Sequence, residues 1–303
     1  MSQTETWTVL RLLEWTTQFL RDRGAESPRL DAEVLLAEAR GCRRIELYTA
    51  FDQVPSDDAR TRFREMVRRR ADGVPVAYLV GRREFYSLSF RVTPDVLIPR
   101  PETELLLIRL LDLIKARAAE DSAAAIHVAD VGTGSGVLAI CAATASSAAG
   151  AERKSNLQIT AIDVSAAALT IAKQNAGDHK VADRITFVEG DLLAPLAAKQ
   201  SLDFVVSNPP YVKESEWREL SREVRDCEPK LALVAGERGT EVIERLIPQA
   251  AERLRASGYL LTEISPMIEA HVRRLIEADS RFEPPTVLKD LAGHARMVQA
   301  RRK

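Results

Sequence analysis

The 303-residue chain has few of the side chains that build disulfide frameworks or metal centres. It contains three cysteines and four histidines. They are widely spaced, and none forms the close pairs that are typical of a zinc site. Isolated thiols in an odd number are typical of a reducing compartment rather than of a disulfide-stabilised secreted protein. We therefore expect neither disulfides nor a bound metal.

Excess basic charge and long apolar runs are also absent. The net charge is −1, so no overall positive field draws the chain onto nucleic acid. No uncharged apolar run reaches the length of a membrane span, and the polar, acidic N-terminus does not resemble a signal peptide. We expect a monomeric, cytoplasmic protein that contacts neither a membrane nor nucleic acid directly.

The first part of the chain has a helical pattern. Residues 1–73 carry apolar side chains at helical spacing in three segments, which end at Gly24, Gly41 and Gly73. The region contains no glycine-rich loop and no cluster of catalytic side chains. It predicts a small all-α N-terminal domain that recognises a partner or packs against one.

A short connecting region follows. Residues 74–98 contain two β-like runs, at 85–90 and 96–98, which together predict a connecting β-hairpin. The remaining residues, 99–303, are long enough for a second and larger domain.

The larger region alternates short apolar strands with helices. This rhythm predicts an α/β fold with a mostly parallel sheet and helices on both faces. The predicted strands lie at 126–131, 159–163, 185–188, 202–207 and 259–264, with terminal strands near 286–290 and 295–300.

A glycine-rich turn follows the first of these strands. Gly132-Thr133-Gly134-Ser135-Gly136 lies between a strand and a helix, where backbone N–H groups can approach a ligand closely. A dinucleotide fingerprint would require glycine at 137, where this chain has Val137. With Asp130 before it, the turn suits a ligand without phosphates, such as S-adenosylmethionine.

Carboxylates end the next two strands. Asp163 is placed to accept hydrogen bonds from two ribose hydroxyls, and Asp191 to accept one from an adenine amino group. Leu192 beside it can pack on the adenine ring. For either carboxylate alone, a helix N-cap is the better explanation. Acidic strand ends around a glycine turn together favour a nucleoside site.

The fourth strand stops at Asn208-Pro209-Pro210-Tyr211. The prolines lack the backbone donor that a sheet needs and fix φ, so they form a stiff support for Asn208. The amide oxygen, a neighbouring carbonyl and the aromatic ring suit a planar NH2 group. Taken alone, the motif is equally consistent with a simple turn.

A second proline motif precedes the first helix of the larger region. Pro99-Arg100-Pro101-Glu102-Thr103-Glu104 is explained by helix capping. It could equally hold Arg100 at a site, and we expect Arg100 and Glu102 to contribute to substrate binding.

These motifs together resemble class I S-adenosylmethionine-dependent methyltransferases that act on planar nitrogen. Asn-Pro-Pro-Tyr is shared by adenine-N6 DNA methyltransferases and glutamine-N5 protein methyltransferases. The segment 98–104, with Tyr78-Leu79-Val80-Gly81, is similar to the release factor glutamine methyltransferase family, called PrmC or HemK. Ribosomal-protein glutamine methyltransferases usually have serine where Pro101 stands. Ser87 and the segment 265–268 depart from the family pattern.

The resemblance implies a class I methyltransferase fold with S-adenosyl-L-methionine as cofactor. It assigns substrate recognition to 1–73 and catalysis to 99–303. The implied substrate is the glutamine of the Gly-Gly-Gln motif in class 1 peptide-chain release factors, with Asn208, Pro209, Pro210 and Tyr211 at the reacting amide. Asn208 is also expected to contact the cofactor. An adenine-N6 methyltransferase on DNA or RNA, a ribosomal-protein glutamine methyltransferase and a non-catalytic binding module stay open as alternatives.

Overall fold

The computed structural model describes residues 6–121, 124–148, 156–197 and 201–303. The chain divides into two compact units. One contains the chain up to Arg82 together with Ser221–Cys227, and the other contains Arg83–Leu220 and Glu228–Lys303.

The first unit is helical, as predicted. Its elements are α1 (Val9–Arg21), α2 (Pro28–Arg40), α3 (Asp57–Ala71) and the short α4 (Val76–Val80). Ser56 caps α3 by accepting a hydrogen bond from Ala59 N, and α2 starts at a proline and stops at Gly41 with φ +65°. Helix α4 lies in the region assigned to the connecting hairpin, where Gly81 in a left-handed conformation ends it.

A segment from the middle of the chain belongs to this helical unit. Arg70 of α3 is 7% exposed and donates to Asp31 of α2 at 2.8 Å and to Glu223 of Ser221–Cys227. A buried guanidinium needs such carboxylate partners. The buried Arg70 guanidinium therefore ties the distant segment, through the partly exposed Glu223, to α2 and α3.

The connecting hairpin differs from its prediction. Its strands are β1 (Arg82–Phe85) and β2 (Leu88–Arg91), so the turn lies inside the run 85–90 that was predicted as one strand. Tyr86 and Ser87 have φ of +48° and +60°, as a two-residue hairpin turn requires. The predicted strand at 96–98 is wrong, because those residues form no strand.

The second unit contains the alternating elements. In chain order they are α5 (Thr103–Glu120), β3 (Ala125–Val131), α6 (Val137–Ala148), β4 (Asn156–Asp163), α7 (Ala166–Asp178), β5 (Ile185–Glu189), β6 (Leu202–Ser207), β7 (Val212–Lys213), β8 (Val234–Gly236), α9 (Glu241–Arg253), β9 (Leu254–Glu263), α10 (Glu269–Ala278), β10 (Thr286–Lys289) and β11 (Ala295–Arg301). Helix α8 (Arg222–Cys227) belongs to the helical unit.

In the described part of the chain, seven strands form the central sheet in the order β10-β11-β9-β6-β3-β4-β5. Strands β5, β4, β3, β6 and β9 are parallel, whereas β11 runs antiparallel to β9 and β10. The chain builds outward from β3 to β5 and then returns to place β6 on the other side of β3. In such sheets ligands bind where the order reverses, at the carboxyl ends of the strands.

Apolar clusters cover both faces of this sheet. One cluster joins α5, α6 and the strands through residues such as Leu106, Ile140 and Val128. The other joins α9 and α10 to the opposite face through residues such as Ile243 and Val272. The predicted fold class is confirmed: a mostly parallel sheet with helices on both faces, together with N-terminal helices.

Candidate functional site

The glycine turn and the asparagine motif meet at the carboxyl ends of β3 and β6. Val131 pairs with Ser207 across these parallel strands, and the Ser207 hydroxyl donates to Val131 O at 2.7 Å. The next residues are Gly132 and Asn208. A Cβ on Gly132 would lie 4.0 Å from the Asn208 carbonyl oxygen. The two motifs that the sequence singled out therefore form one site.

Each glycine of the turn has a left-handed backbone. The φ angles are +72° at Gly132, +55° at Gly134 and +86° at Gly136. A Cβ on Gly136 would lie 2.8 Å from the Ile140 side chain, so this position needs glycine for packing. A Cβ on Gly134 would meet nothing within 4 Å, which leaves that side of the turn open to a ligand.

Asp130 is buried beneath the turn with one unused oxygen. Its Oδ2 accepts from the Thr133 hydroxyl at 2.7 Å and from Ala139 N at 3.2 Å. No described residue donates to its Oδ1, which is buried. Burial raises the pKa of the carboxyl to about 6. An unpaired buried carboxylate oxygen is costly, so this atom suits a cationic or hydrogen-bond-donating ligand group.

Asp163 braces the turn from the end of β4. Its Oδ2 accepts from Gly134 N at 2.8 Å and its Oδ1 from Ser165 N at 2.9 Å. Burial raises the pKa of this carboxyl as well. A carboxylate has about four acceptor positions, so both oxygens can still receive ligand hydroxyls. Val164, which follows, is 53% exposed and offers an apolar surface that the sequence reasoning missed.

Asp191 and Leu192 differ in how far they are exposed to solvent. Asp191 is exposed and pairs with Arg245 of α9. Leu192 is only 8% exposed and packs in the apolar cluster with Leu193 and Ile162. Its φ of +52° turns the chain at this point. The predicted contacts of Asp191 and Leu192 with adenine stay predictions. A hydrogen bond from adenine to Asp191 would require the carboxylate to bind Arg245 at the same time.

Asn208 is oriented by two buried side chains. Its Nδ2 donates to the Thr103 hydroxyl at 3.1 Å, and that hydroxyl donates to Glu263 Oε2 at 2.6 Å. Thr103 is 2% and Glu263 3% exposed. Burial raises the pKa of the Glu263 carboxyl to about 7. Because the amide nitrogen is turned to Thr103, the Asn208 oxygen is left for another donor.

Sequence reasoning missed Glu263 altogether. It gave Thr103 no role of its own within the motif 99–104, which was explained by helix capping or by a site for Arg100. The signal for Glu263 is a carboxylate at the last position of an apolar strand, the same pattern as at Asp163. The structure brings the start of α5 and the ends of β6 and β9 together at this point.

Arg100, Glu102 and Arg296 belong to a second polar group, and their charges act on the Tyr211 hydroxyl. Glu228, with its side chain 1% exposed, accepts from Ile98 N at 3.0 Å and from the Arg100 guanidinium. Glu102 is more exposed and lies 3.9 Å from Arg296. Arg100 is thus held by Glu228, a residue to which sequence reasoning gave no role. Burial raises the pKa of the Tyr211 hydroxyl to about 12, which keeps it neutral.

A cavity of about 550 Å³ lies elsewhere, beside the amino-terminal halves of β3 and β4. Its lining includes His127, Gln158 and Arg184, and it contains none of the predicted site residues. The chemistry of the glycine turn and of Asn208, rather than cavity size, therefore identifies the candidate site.

Two family models match the chain. Residues 106–224 match the methyltransferase small domain, and residues 11–81 match the PrmC N-terminal domain. In fold, the chain is similar to the hMettl16 catalytic domain solved in complex with the MAT2A 3'UTR hairpin 1. The TM-score is 0.54 at 17% identity, over 78% of this chain and 80% of that one. This likeness concerns the fold alone. The matching methyltransferase model, together with this fold, places the chain in the class of methyltransferases.

Relatives of higher sequence identity show which family of methyltransferases the chain belongs to. The chain is 49% identical over 292 residues to the release factor glutamine methyltransferase of Rhodopirellula baltica, covering 96% of this chain and 95% of the relative. It is 40% identical to that of Nitratidesulfovibrio vulgaris, covering 97% and 95%. The chain belongs to the release factor glutamine methyltransferase family, which confirms the resemblance found in its motifs.

Proposed function

We propose that this methyltransferase transfers the methyl group of S-adenosyl-L-methionine to the side-chain amide N5 of a glutamine. The substrate is the glutamine of the Gly-Gly-Gln motif in class 1 peptide-chain release factors. The observation that carries the proposal is the orientation of Asn208. Its amide nitrogen donates to Thr103, and its backbone carbonyl lies beside Gly132 of the glycine turn.

The donor set at the turn fits the cofactor. The unpaired Asp130 Oδ1 suits the ammonium of its amino-acid part. The free acceptor positions of Asp163 suit the ribose hydroxyls. Asp191, Leu192 and Val164 would contact the adenine. The open side of the turn leaves room for backbone contacts from Thr133, Gly134, Ser135 and Gly136.

The bound cofactor supplies an electrophilic methyl group. The protein must make a poor nucleophile reactive, because the lone pair of a carboxamide nitrogen is delocalised into its carbonyl. Asn208 Oδ1 and the Pro209 carbonyl accept the two amide hydrogens, so the nitrogen can pyramidalise and direct its lone pair outward. Acceptors fixed in advance lower the barrier without reorganisation, and alignment removes an entropic cost.

The prolines and the tyrosine complete the amide site. Pro209 and Pro210 hold the acceptors rigidly, because their rings fix φ. Backbone contacts support the same loop: Val212 N donates to Leu233 O at 2.9 Å. The neutral Tyr211 ring covers the face of the substrate amide. After transfer the cationic nitrogen loses its proton to water, so no dedicated base is required.

Recognition of the release factor is assigned to the N-terminal helices and to Arg100 and Glu102. The match of residues 11–81 to the PrmC N-terminal domain supports the first part. The anchoring of Arg100 by Glu228 supports the second, since a fixed guanidinium can bind a backbone or carboxylate oxygen.

In the described residues no helix is long and apolar enough to cross a bilayer. We expect a monomer acting in the cytoplasm.

Methyl transfer from labelled cofactor tests the proposal. The full chain is incubated with a class 1 release factor, with the same factor carrying asparagine in place of the motif glutamine, with ribosomal proteins and with duplex DNA. We expect one methyl group on the motif glutamine, located by peptide mass spectrometry, and none on the asparagine variant. Label in DNA or in a ribosomal protein, with none in the release factor, would overturn the proposed substrate.

A further inference from the structure

Asn208, Thr103 and Glu263 form a continuous hydrogen-bonded chain. The three residues come from different elements: the end of β6, the first residue of α5 and the last residue of β9. The two links measure 3.1 Å and 2.6 Å. Thr103 and Glu263 are 2% and 3% exposed, so water does not compete with these bonds.

The direction of the chain follows from the chemistry of its last member. An ionised carboxylate can only accept hydrogen bonds, so the single Thr103 proton must be donated to Glu263. The Thr103 oxygen can then only accept, and the Asn208 group that faces it must be the NH2. The carboxylate therefore decides which end of the Asn208 amide faces inward.

We propose that Glu263 is a positioning residue that acts through Thr103 to keep the Asn208 oxygen turned toward the substrate amide, and that protonation of Glu263 reverses this orientation. The inference rests on the proposed function for its consequence in catalysis. The hydrogen-bond chain itself is independent of the substrate.

Protonation of Glu263 removes this constraint on the orientation of the Asn208 amide. A neutral Glu263 can donate to the Thr103 oxygen, and the Thr103 proton is then free to be donated to Asn208. The amide satisfies that donor by rotating its oxygen inward. Its NH2 group then faces the substrate NH2, and two donors cannot form a hydrogen bond. The rotated site therefore loses one of its two acceptors.

The titration of Glu263 falls in the neutral pH range. Burial raises the pKa of Glu263 to about 7 and the neighbouring Glu102 raises it further, whereas the Thr103 hydrogen bond and the cations Arg296 and Arg100 lower it. Among the described residues, the Tyr211 hydroxyl also interacts with Glu263, and it is neutral in this range. Asp290 pairs with Arg296 at 2.8 Å. Methyl transfer should therefore rise with pH as Glu263 ionises.

The first test compares the pH profile of kcat in four proteins: wild type, Glu263→Gln, Thr103→Val and Thr103→Ser. The wild type should show a rise centred near pH 7. Glutamine both donates and accepts, so Glu263→Gln should lose the rise and about tenfold in kcat, the scale of one hydrogen bond. Thr103→Val should behave similarly. Thr103→Ser keeps a hydroxyl and should restore the pH-dependent rise.

KM for the cofactor separates positioning from general damage to the fold. It should change little in all three variants, because none of these side chains belongs to the glycine turn. A Glu263→Gln profile that keeps the wild-type rise would overturn the proposal.

The second test does not require methyl transfer. The side-chain NH2 resonances of Asn208, identified by their loss in Asn208→Ala, are followed by NMR from roughly pH 5.5 to 8.5, which brackets the titration. They should shift with a midpoint near pH 7 in the wild type and stay constant in Glu263→Gln. Resonances that do not move in the wild type would overturn the proposal.

The two tests also separate this inference from the proposed function. If the Asn208 resonances titrate only in the wild type but no release factor glutamine is methylated at any pH, the proposed substrate is wrong and the positioning chain stands. If glutamine is methylated without pH dependence and the resonances do not move, the substrate stands and the positioning chain is wrong.

Discussion

A Cβ built on Gly132 would stand 4.0 Å from the Asn208 carbonyl oxygen, which is ordinary van der Waals distance. The cost of Gly132→Ala therefore comes from the backbone, because it forces alanine into φ +72° at roughly 1 to 2 kcal/mol. A change of φ that relieved this strain would displace the turn that is proposed to hold the cofactor. We expect cofactor affinity to fall about tenfold by isothermal titration calorimetry, which corresponds to a free energy of about 1.4 kcal/mol.

A glycine elsewhere provides the control. Gly177 lies in α7, and a Cβ there would meet nothing within 4 Å. Gly177→Ala should leave cofactor affinity unchanged and stabilise the protein by about 0.5 to 1 kcal/mol, because alanine is the better helix residue. Equal losses of affinity in both variants would contradict the role given to the turn.

Removing the Asn208 side chain tests the amide site directly. Asn208→Ala removes the oxygen proposed to accept a substrate hydrogen, and it leaves the glycine turn intact. We expect single-turnover methyl transfer to fall by roughly 10²-fold or more, the usual scale for losing one such group. Cofactor affinity should be nearly unchanged.

The matched control for this variant is Asn156, an exposed asparagine at the start of β4. Asn156→Ala should transfer methyl groups at the wild-type rate. If Asn208→Ala also retained that rate, the electrostatic role of the asparagine would be wrong.

The ion pair between the partly exposed Arg100 and the buried Glu228 should matter for stability. Arg100→Leu leaves Glu228, with its side chain 1% exposed, without its cation. Leaving a buried charge unpaired costs about 3 kcal/mol or more, so the free energy of unfolding in urea should fall by that amount. The exposed Arg273, which pairs with Glu277 on α10 at 3.4 Å, is the comparison. Arg273→Leu should lower the free energy of unfolding by less than about 1 kcal/mol. Equal losses of unfolding free energy in the two variants would contradict the prediction.

Local patterns were enough to predict the sheet and the glycine turn. Strand ends such as Asp163 and Asn208 are marked by a change from apolar to polar residues or by proline, and parallel strands bring those ends to one edge. The contact between Thr103 and Glu263 could not be predicted, because it joins residues 160 positions apart. No local pattern records such a pairing.

The errors in the connecting hairpin have physical causes too. The turn at Tyr86-Ser87 contains neither glycine nor asparagine, the residues that usually mark φ above zero. Val96 and Ile98 are apolar because they are buried, at 1% and 6% exposed, and not because they lie in a sheet. Tertiary packing sets the pattern at Val96 and Ile98, whereas the backbone of Tyr86 and Ser87 adopts a turn that these residue types rarely form.

Asp130 should make stability depend on pH. Burial raises its pKa from 3.8 to about 6, so the folded chain binds a proton more tightly than the unfolded chain. The stability from this group is complete below its unfolded pKa and is lost as pH rises through about 6. Asp130→Asn cannot titrate. Between acidic and neutral pH, the free energy of unfolding of the wild type should fall by up to roughly 3 kcal/mol relative to that of the variant. This follows from about 1.4 kcal/mol for each unit of pKa shift.

Thermal unfolding measured by circular dichroism across that range checks this expectation, with the cofactor absent. Asp52→Asn is the control, because it makes the same carboxylate-to-amide change at an exposed side chain. Cofactor binding should show the opposite trend. If the ionised Asp130 Oδ1 holds the cofactor ammonium, affinity rises with pH in the wild type and stays low in Asp130→Asn. Stability curves of wild type and Asp130→Asn that run parallel would show that Asp130 is not protonated preferentially in the folded state.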